Sequence, residues 1–479
     1  MRQLLRGVFP LATGLLVFTG CSSSRDISEP RLPEWPASFS VSFDSSRSET
    51  LTKQLAFQDT VLVALIGLAL RQNPDVLIAS ERIEMARAQL RYRKGRMLPV
   101  VEADATAGGT KYGDYTMEGV GNFDTNLSPN INEDQKTPMP FTPNYFLGFR
   151  SNWEIDLWGK LRQRKKAARL RLLASEAGRK LVITTLVSEV ASRYYELQAL
   201  DAELEVIRRN IALQDSAVYI AQIQKEAGRT TELGVQQFKA QLLRTQMMQA
   251  NTEQEITRVE NELNSLLGQF KEPVKRTALN QQQLMPLPRI GGSPYEVLSA
   301  RPDVVQAERL LEAQGADLEA ARKELFPSLT LTPFAGFNSF NSALLFDPAS
   351  LAYGIVGGLT APLLNRTAAK AGIQLAEAEQ REALHQYSRT VFEAYREVET
   401  TMSSIRNIRS VYELNRQEVD VLRAAVATAN ELYKAGYANY LEVISAQQRA
   451  IEAEISLAET RKALHFAQIN LYRAIGGGW

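Results

Sequence analysis

The chain has 479 residues, of which 44% are hydrophobic, and its 55 Lys and Arg nearly balance its 54 Asp and Glu. This length suits one large fold or a few domains, and the balanced charge gives no indication of a nucleic-acid partner. With a single cysteine, the chain cannot form an internal disulfide.

Residues 1–20 have the pattern of a signal peptide, because two arginines precede an apolar run from Val8 to Phe18. Cys21 follows this run directly, after a Phe-Thr-Gly tripeptide, and the arrangement resembles the lipobox of bacterial lipoproteins. The resemblance implies that Cys21 becomes the lipidated N-terminus and that Ser22 directs sorting to the outer membrane. An ordinary free cysteine is the alternative interpretation.

Residues 21–57 are rich in Ser, Pro and Arg, and this composition predicts an extended arm. After it, no apolar run reaches the ~18–20 residues that a membrane helix needs. The longest run, Val61 to Leu70, is closed by Arg71 and predicts a buried helix. Any membrane crossing by the mature chain must therefore use strands.

The sequence then repeats itself. The run Asn-Pro-Asp-Val that starts at Asn73 matches Arg-Pro-Asp-Val at Arg301, and each opens a helical pattern, over 73–97 and 301–325. These matches predict a first repeat over 58–272, a linker and equatorial segment over 273–300, and a second repeat over 301–479.

Each repeat contains a very long helical pattern, since 160–272 and 363–479 hold no proline. Apolar residues recur there in steps of three and four, which predicts coiled-coil-like packing. The first stripe is Ile183, Val187, Val190, Tyr194, Leu197, Leu200, Leu204, Ile207 and Ile211, and most of its members have an apolar or aromatic counterpart 208 residues later.

Between the helical patterns the period changes to two. One face carries Tyr145, Leu147 and Phe149, and the other, assigned as polar, carries Phe146, Gly148, Arg150, Asn152, Glu154 and Asp156. The second repeat shows similar alternation. The pattern predicts one β-hairpin per repeat, at about 98–157 and 327–363, with an apolar face and a polar face. The first hairpin has the longer connection, from Tyr112 to Thr142.

Four strands of this length can cross a bilayer when tilted, but they cannot close a barrel alone. Open strand edges are not tolerated in lipid. The strands therefore predict an oligomer. A dimer would give eight strands and little pore, whereas a trimer would give twelve.

Two short stretches interrupt the long helices, at about 227–235 and 435–443. In each, a glycine (Gly228 or Gly436) stands where a helix would end in a left-handed turn. A good N-cap follows, Thr230 or Thr231 in the first stretch and Asn439 in the second. We interpret these stretches as the tips of two long helical hairpins.

This doubled order resembles the trimeric outer-membrane efflux ducts, the TolC- and OprM-like outer membrane factors. Matching marks are the helix-to-strand joints at Pro99 and Pro327, the Asp-Leu-Trp-Gly-Lys-Leu run from Asp156, the Tyr-Lys-Ala-Gly run from Tyr433, and the Gly-Gly-Gly-Trp terminus. With Cys21, they resemble the lipoprotein (NodT-like) branch that serves resistance-nodulation-division pumps.

The resemblance implies a mostly α fold with a membrane β part. Long helical hairpins would form a periplasmic α-barrel, and three chains would share a twelve-stranded β-barrel. It implies a homotrimer in the bacterial outer membrane that extends into the periplasm. An inner-membrane pump and a periplasmic adaptor would deliver drugs or other small solutes to this passive exit duct.

The resemblance also implies site residues at the tips. A carboxylate at Glu442 would form a ring around the pore, where three like charges would attract cations. A capping box with Asn439 is an equally weighted interpretation of Glu442. The tip aromatic Tyr433 matches one that latches to an acid in some relatives and would belong to the pore gate. Because Gly234 and Ala438 stand where those relatives have an acid and an arginine, we expect this latch to be absent or to be made through Glu232 or Arg229. Simple packing within the hairpin is the alternative interpretation of Tyr433. The implied adaptor-docking residues are Gly228, Arg229, Thr230, Gly436, Tyr437 and Ala438.

No motif predicts an enzyme, a metal site or a cofactor other than the lipid on Cys21. The two histidines, His385 and His465, lie in helical patterns without metal-ligand spacing. Two alternative functions remain for the same fold, a duct for protein or peptide secretion and one for metal-ion export. An alternative of another class is a lipid-anchored periplasmic coiled-coil scaffold.

Overall fold

A computed structural model describes residues 35–36, 38–39, 59–278, 293–361 and 366–477. The predicted signal peptide and Cys21 lie outside this part of the chain. The helices are α1 (Thr60–Gln72), α2 (Pro74–Gly95), α3 (Met117–Leu127), α4 (Lys160–Glu226), α5 (Glu232–Leu266), α6 (Pro294–Leu298), α7 (Pro302–Arg322), α8 (Thr367–Ala435) and α9 (Tyr440–Ala474). The strands are β1 (Val100–Thr110), β2 (Thr142–Ile155), β3 (Ser328–Ser339) and β4 (Leu351–Thr360).

The four strands form one antiparallel sheet in the order β1-β2-β3-β4. The predicted hairpins are thus present, and β2 and β3 join them. One face exposes large apolar side chains, among them Phe149 (61% exposed) and Ile355 (68%). Because side chains alternate along a strand, the polar residues fall on the other face.

The second face is less uniformly polar than the sequence predicts. Phe146 lies on it and is buried, because the Arg150 guanidinium sits 4.5 Å from its ring centre and the Phe334 ring lies 6.3 Å away. Arg150 also pairs with Asp104 at 2.8 Å. The expectation that this position contributes only to a polar surface is wrong, since the phenylalanine supplies an aromatic platform for a cation.

The long helices pack side by side in a layer. α4 packs against α2, α5, α7 and α9, and α8 packs against α7 and α9. The order across the layer is therefore α2 with α5, then α4, then α7 with α9, then α8. This is also the order of the strands, because α2 leads into β1, β2 into α4, α7 into β3, and β4 into α8.

The short helices meet end to end. The Asn73 side-chain amide, at the start of α2, donates to the Leu266 carbonyl at the end of α5, with 2.9 Å between nitrogen and oxygen. The Arg301 guanidinium, before α7, donates to the Ala474 carbonyl at the end of α9 at 2.5 Å. Each contact satisfies a helix C-terminal carbonyl that has no partner within its own helix.

The predicted apolar stripes form the interior of the layer. Val190, Tyr194, Leu197 and Leu263 belong to one buried cluster, together with Leu62 of α1. Val391, Val398, Met402 and Ile405 belong to a second. The few described residues of the predicted arm contact this second cluster, since Trp35 packs on Tyr295 and Phe39 stacks on Tyr395.

The joint between β2 and α4 explains the Asp-Leu-Trp-Gly-Lys-Leu run. The Asp156 carboxylate accepts hydrogen bonds from the backbone N–H groups of Leu161 and Arg162, at 2.9 and 2.8 Å, and so caps α4. The Trp158 indole N–H donates to the Pro327 carbonyl at 2.7 Å, and its ring stacks on Phe326. The two strand-helix joints therefore hold each other.

By length and composition, no single helix among the described residues could cross a membrane. The pair α1 and α2, bent by 45° at the break between them, passes the same test when taken together. Leu62 and Ala69 of α1 are buried within the protein.

Candidate gate at the helical tips

The first tip joins α4 to α5 through a left-handed glycine. Gly228 has φ +70°, and the Arg229 N–H donates back to the Gln224 carbonyl at 2.8 Å. This closes the end of α4 in a Schellman-type turn. Thr231 then caps α5, because its hydroxyl accepts from the Gly234 N–H at 3.2 Å.

The second tip joins α8 to α9 in the same way but with a stronger cap. Gly436 has φ +81°, and the Tyr437 N–H donates to the Leu432 carbonyl at 2.8 Å. Asn439 caps α9 by accepting from the N–H groups of Leu441 and Glu442. The Glu442 carboxylate in turn accepts from the Asn439 N–H at 2.9 Å, which completes a capping box.

The capping interpretation of Glu442 is thus confirmed. One carboxylate oxygen, Oε2, is held by the Asn439 backbone, and the residue is solvent-exposed. A carboxylate in the first turn also interacts favourably with the helix dipole. The ring of three carboxylates around a pore stays a prediction, and the two roles are compatible.

Both tips share a small apolar core. Val235 and Phe238 of α5 are buried with Val443 of α9, and Tyr433 packs against this cluster. A Cβ atom on Gly234 would lie 3.4 Å from the Tyr440 ring. Gly234, which stands where some relatives have an acid, therefore packs against the Tyr440 ring of the other tip.

The structure does not bring Tyr433 and Glu232 together within one chain, and a latch made through Glu232 or Arg229 stays a prediction. Glu232 pairs with Lys225 across its own turn, and that hydrogen bond lowers the pKa of Glu232. Tyr433 instead lies 6.0 Å from Phe238, ring centre to ring centre. Burial raises the pKa of Tyr433, and a hydrogen bond with the Thr230 side chain opposes this.

The predicted adaptor-docking residues lie together on each turn. Gly228, Arg229, Gly436 and Tyr437 are exposed, and Tyr437 is 85% accessible. Thr230 and Ala438 are half-buried. A Cβ on Gly228 or Gly436 would meet open space, so the positive φ alone favours glycine there.

Above the tips lies a charge cluster that the sequence analysis missed. The Glu454 side chain of α9 is 8% exposed and pairs with Arg209 of α4 and Arg423 of α8. One carboxylate thereby links α9 to both neighbouring long helices. A carboxylate within the α9 stretch, where neighbouring positions are apolar, was the signal that could have revealed it.

His465, farther along α9, is also buried. It is 1% exposed, and its ring stacks on Tyr195 of α4 with 4.2 Å between ring centres. Burial lowers the pKa of His465 to about 4, and the nearby positive charge of Arg461 adds to this effect. Its nitrogens have no hydrogen-bond partner in the described part of the chain, and no three His, Cys, Asp or Glu residues there are grouped to hold a metal.

The family model, the related sequences and the solved structures that resemble this chain all indicate the same family. The family model described as "Outer membrane efflux protein" matches residues 65–269 and 293–477. The cation efflux system protein CusC of Escherichia coli O6:H1 is 27% identical over 97% of both chains. The pyoverdine export outer membrane protein OpmQ of Pseudomonas putida is 30% identical over 91% of this chain and 90% of that protein. The solved outer-membrane channel OprN superposes with a TM-score of 0.82 at 25% identity, covering 94% of this chain and 98% of that one.

Proposed function

The chain belongs to the outer membrane efflux protein family, and from this premise we propose that three copies form a passive exit duct. The protein is an outer-membrane efflux channel. In our proposal each copy contributes four strands to a twelve-stranded barrel, and the long helices form a tunnel below it.

The observation that carries the proposal is that both layers of the fold end in open edges on the same two sides. β1 and β4 are the edges of the sheet. α5 and α8 are the outer members of the helix layer, and β1 lies on the α5 side because α2, which meets α5 end to end, leads into it. A second copy can therefore continue the sheet and the helix layer at once.

The outer helices carry apolar side chains that a neighbour would cover. Leu243 and Met247 of α5 are 60% and 61% exposed, and Leu414 and Val421 of α8 are 62% and 69% exposed. Large exposed apolar surfaces of this kind mark interaction sites. Four strands cannot close a barrel in lipid, whereas twelve can enclose a pore.

The cargo is not specified by the likeness to known proteins. Relatives of similar identity are named for cation efflux, pyoverdine export and toluene efflux. We assign drugs or other small solutes to this duct, delivered by a resistance-nodulation-division pump through a periplasmic adaptor. In this assignment the adaptor contacts the exposed turns at Gly228 and Gly436, and the pump selects the cargo.

The proposed organisation has two repeats, 58–272 and 301–479, joined by 273–300. Its support is that each half runs through a helix, two strands, a very long helix and a 35-residue helix in the same order. Residues 1–20 would be removed, and Cys21 would carry the lipid that anchors the arm 21–57. Cys21→Ser should abolish lipid labelling while trimers still assemble.

Gel migration tests the assembly. An extract of membranes carrying the full chain should give an SDS-resistant, β-rich trimer before heating and a monomer after heating, and the purified trimer should conduct ions across a planar bilayer. A monomer before heating, without conductance, would overturn the duct and favour the lipid-anchored scaffold.

Two substitutions at one position separate the roles of Glu442. Glu442→Gln keeps an oxygen that can accept from the Asn439 N–H but removes the charge, whereas Glu442→Ala removes both. A charged pore ring predicts lower cation selectivity for both variants. A purely capping role predicts unchanged selectivity for both and a larger loss of stability, ~1 kcal/mol, for the alanine variant than for the glutamine variant.

A further inference from the structure

The connection between β1 and β2 contains the helix α3, where the sequence analysis placed no regular structure. Thr116 caps it, because the Thr116 hydroxyl accepts from the Gly119 N–H at 3.1 Å. Asn126, near its end, exchanges two hydrogen bonds of 2.8 Å with the Thr137 backbone. These contacts fix one side of α3 to the returning segment of the same connection.

A second side of α3 carries large apolar side chains that nothing in the described residues covers. Met117, Phe123 and Leu127 are 89%, 57% and 69% exposed, and Val120 is 48% exposed. On a helix with 3.6 residues per turn these four lie within about one third of the circumference, away from Asn122. A fixed helix with an exposed apolar face gains free energy when a partner covers that face.

The position of α3 identifies the partner. The linker from the end of β1 at Thr110 to the first residue of α3 is six residues long, and Asn126 ties α3 to the segment that leads into β2, so α3 stays with the β1–β2 hairpin, whose outer strand β1 is a free edge of the sheet. The β3–β4 connection lies at the same end of the sheet but beside the opposite free edge, that of β4. It exposes Phe346 (69%), whose ring is backed by Phe337 at 6.1 Å.

We propose that the apolar face of α3 packs on the β3–β4 connection of the neighbouring copy, centred on Phe346. The inference rests on the proposed trimer, in which the free edge of β1 pairs with β4 of the next copy. β1 and β4 run in opposite directions, so this pairing continues the antiparallel sheet. It brings α3 of one copy beside Phe346 of the next, at the end of the sheet remote from the long helices. In a trimer, this contact would join adjacent copies at three places around the end of the barrel that is remote from the long helices.

Disulfide trapping tests the contact. In the full chain with Cys21→Ser, which removes the only native thiol, Val120→Cys is combined with Phe346→Cys, and intact cells are oxidised. The expected result is a ladder of covalent dimer and trimer in heated, non-reducing gels. The matched control, Asn122→Cys with Phe346→Cys, places the thiol on the other side of α3 and should give monomer.

A second set of cysteine pairs reports the trimer itself. Pairs are scanned along the free edges, from Ala103 or Ala105 of β1 to Tyr353 or Ile355 of β4. Ladders from both the edge pairs and the Val120–Phe346 pair support the inference. Edge ladders without the Val120–Phe346 ladder, or equal ladders from the Asn122 control, overturn it while the trimer stands. Loss of every ladder together with the SDS-resistant trimer overturns the proposed function instead.

Discussion

The two return helices α5 and α9 have the same length, 35 residues, but different surroundings. α9 lies between α4 and α8 and packs extensively on both, whereas α5 packs mainly on α4. The difference appears directly in the polar residues. Gln447, Glu454 and His465 of α9 are buried, while the residues 208 positions earlier, Lys239, Gln246 and Thr257, are exposed. The place of a helix in the layer, more than the shared pattern of the halves, decides what is buried.

The C-terminal ends of α5 and α9 also differ in the charge of the side chain that holds them. α5 ends against the neutral amide of Asn73. α9 ends against the Arg301 guanidinium, which is 6% exposed and also pairs with Asp303 at 2.7 Å and Glu397 at 2.9 Å. The central helix is therefore fixed by buried charge at a point where the outer helix is fixed by a single amide.

The largest predicted effect compares these two ends. Arg301→Ala leaves Asp303 and the Ala474 carbonyl without their cation, and leaves Glu397 with only its 4.0 Å pair to Arg473, so the free energy of unfolding should fall by about 3 kcal/mol or more. Asn73→Ala removes a cap and one hydrogen bond and should cost about 1–2 kcal/mol. Urea unfolding followed by circular dichroism measures both. Equal losses would mean that the charge at the second joint adds nothing.

The next effect depends on pH. The pKa of His465 falls from 6.5 to about 4 in the folded chain, so the unfolded chain binds the proton more readily between these values. The stabilisation from the neutral histidine is complete above pH 6.5 and is lost as pH falls toward 4, and it amounts to roughly 3 kcal/mol.

His465→Phe keeps a ring against Tyr195 and should remove this component of the pH dependence. Thr257→His places an imidazole at the corresponding exposed position of α5 and should add none. Unfolding measured from neutral pH down to pH 4, with each variant compared with the parent chain, tests the difference. Parallel curves for the parent and His465→Phe would contradict the assignment.

The smallest of the three effects concerns the charge cluster. Glu454→Gln keeps the size of the side chain but removes the charge that joins Arg209 to Arg423. Both arginines are about half exposed and stay hydrated, so we expect a loss of about 2 kcal/mol. Gln246→Ala, at the corresponding position of α5, should cost less than 0.5 kcal/mol, roughly the surface value. A comparable loss at Gln246 would contradict the difference between the helices.

The sequence was sufficient to predict the order of the strands and the long helices because its signals are local. Periods of two and of 3.5 set the strands and long helices, and Gly228 and Gly436 with their caps set the tips within a few residues. The burial of Glu454 and His465 was not predictable in this way, since it depends on which helices flank α9. Phe146 was assigned to a polar face by the alternation of its strand alone. The burial of its ring depends partly on Phe334, which comes from the other half of the chain.

At the candidate gate, sequence reasoning found the capping box at Asn439 and Glu442 but not the surroundings of Tyr433. A capping box spans four consecutive residues, so it can be predicted from the local sequence. The environment of Tyr433 is supplied by Phe238, almost two hundred residues earlier in the chain. The helix α3 was missed because it is short and lies in a connection, Tyr112 to Thr142, whose Gly, Asn and Pro residues are typical of loops.

The joint at Trp158 has a consequence for how movement spreads. Because the indole of one strand-helix joint holds the Pro327 carbonyl of the other, a twist of α4 about its axis turns β3 as well as β2. The two strand-helix joints therefore transmit rotation from one β-hairpin to the other.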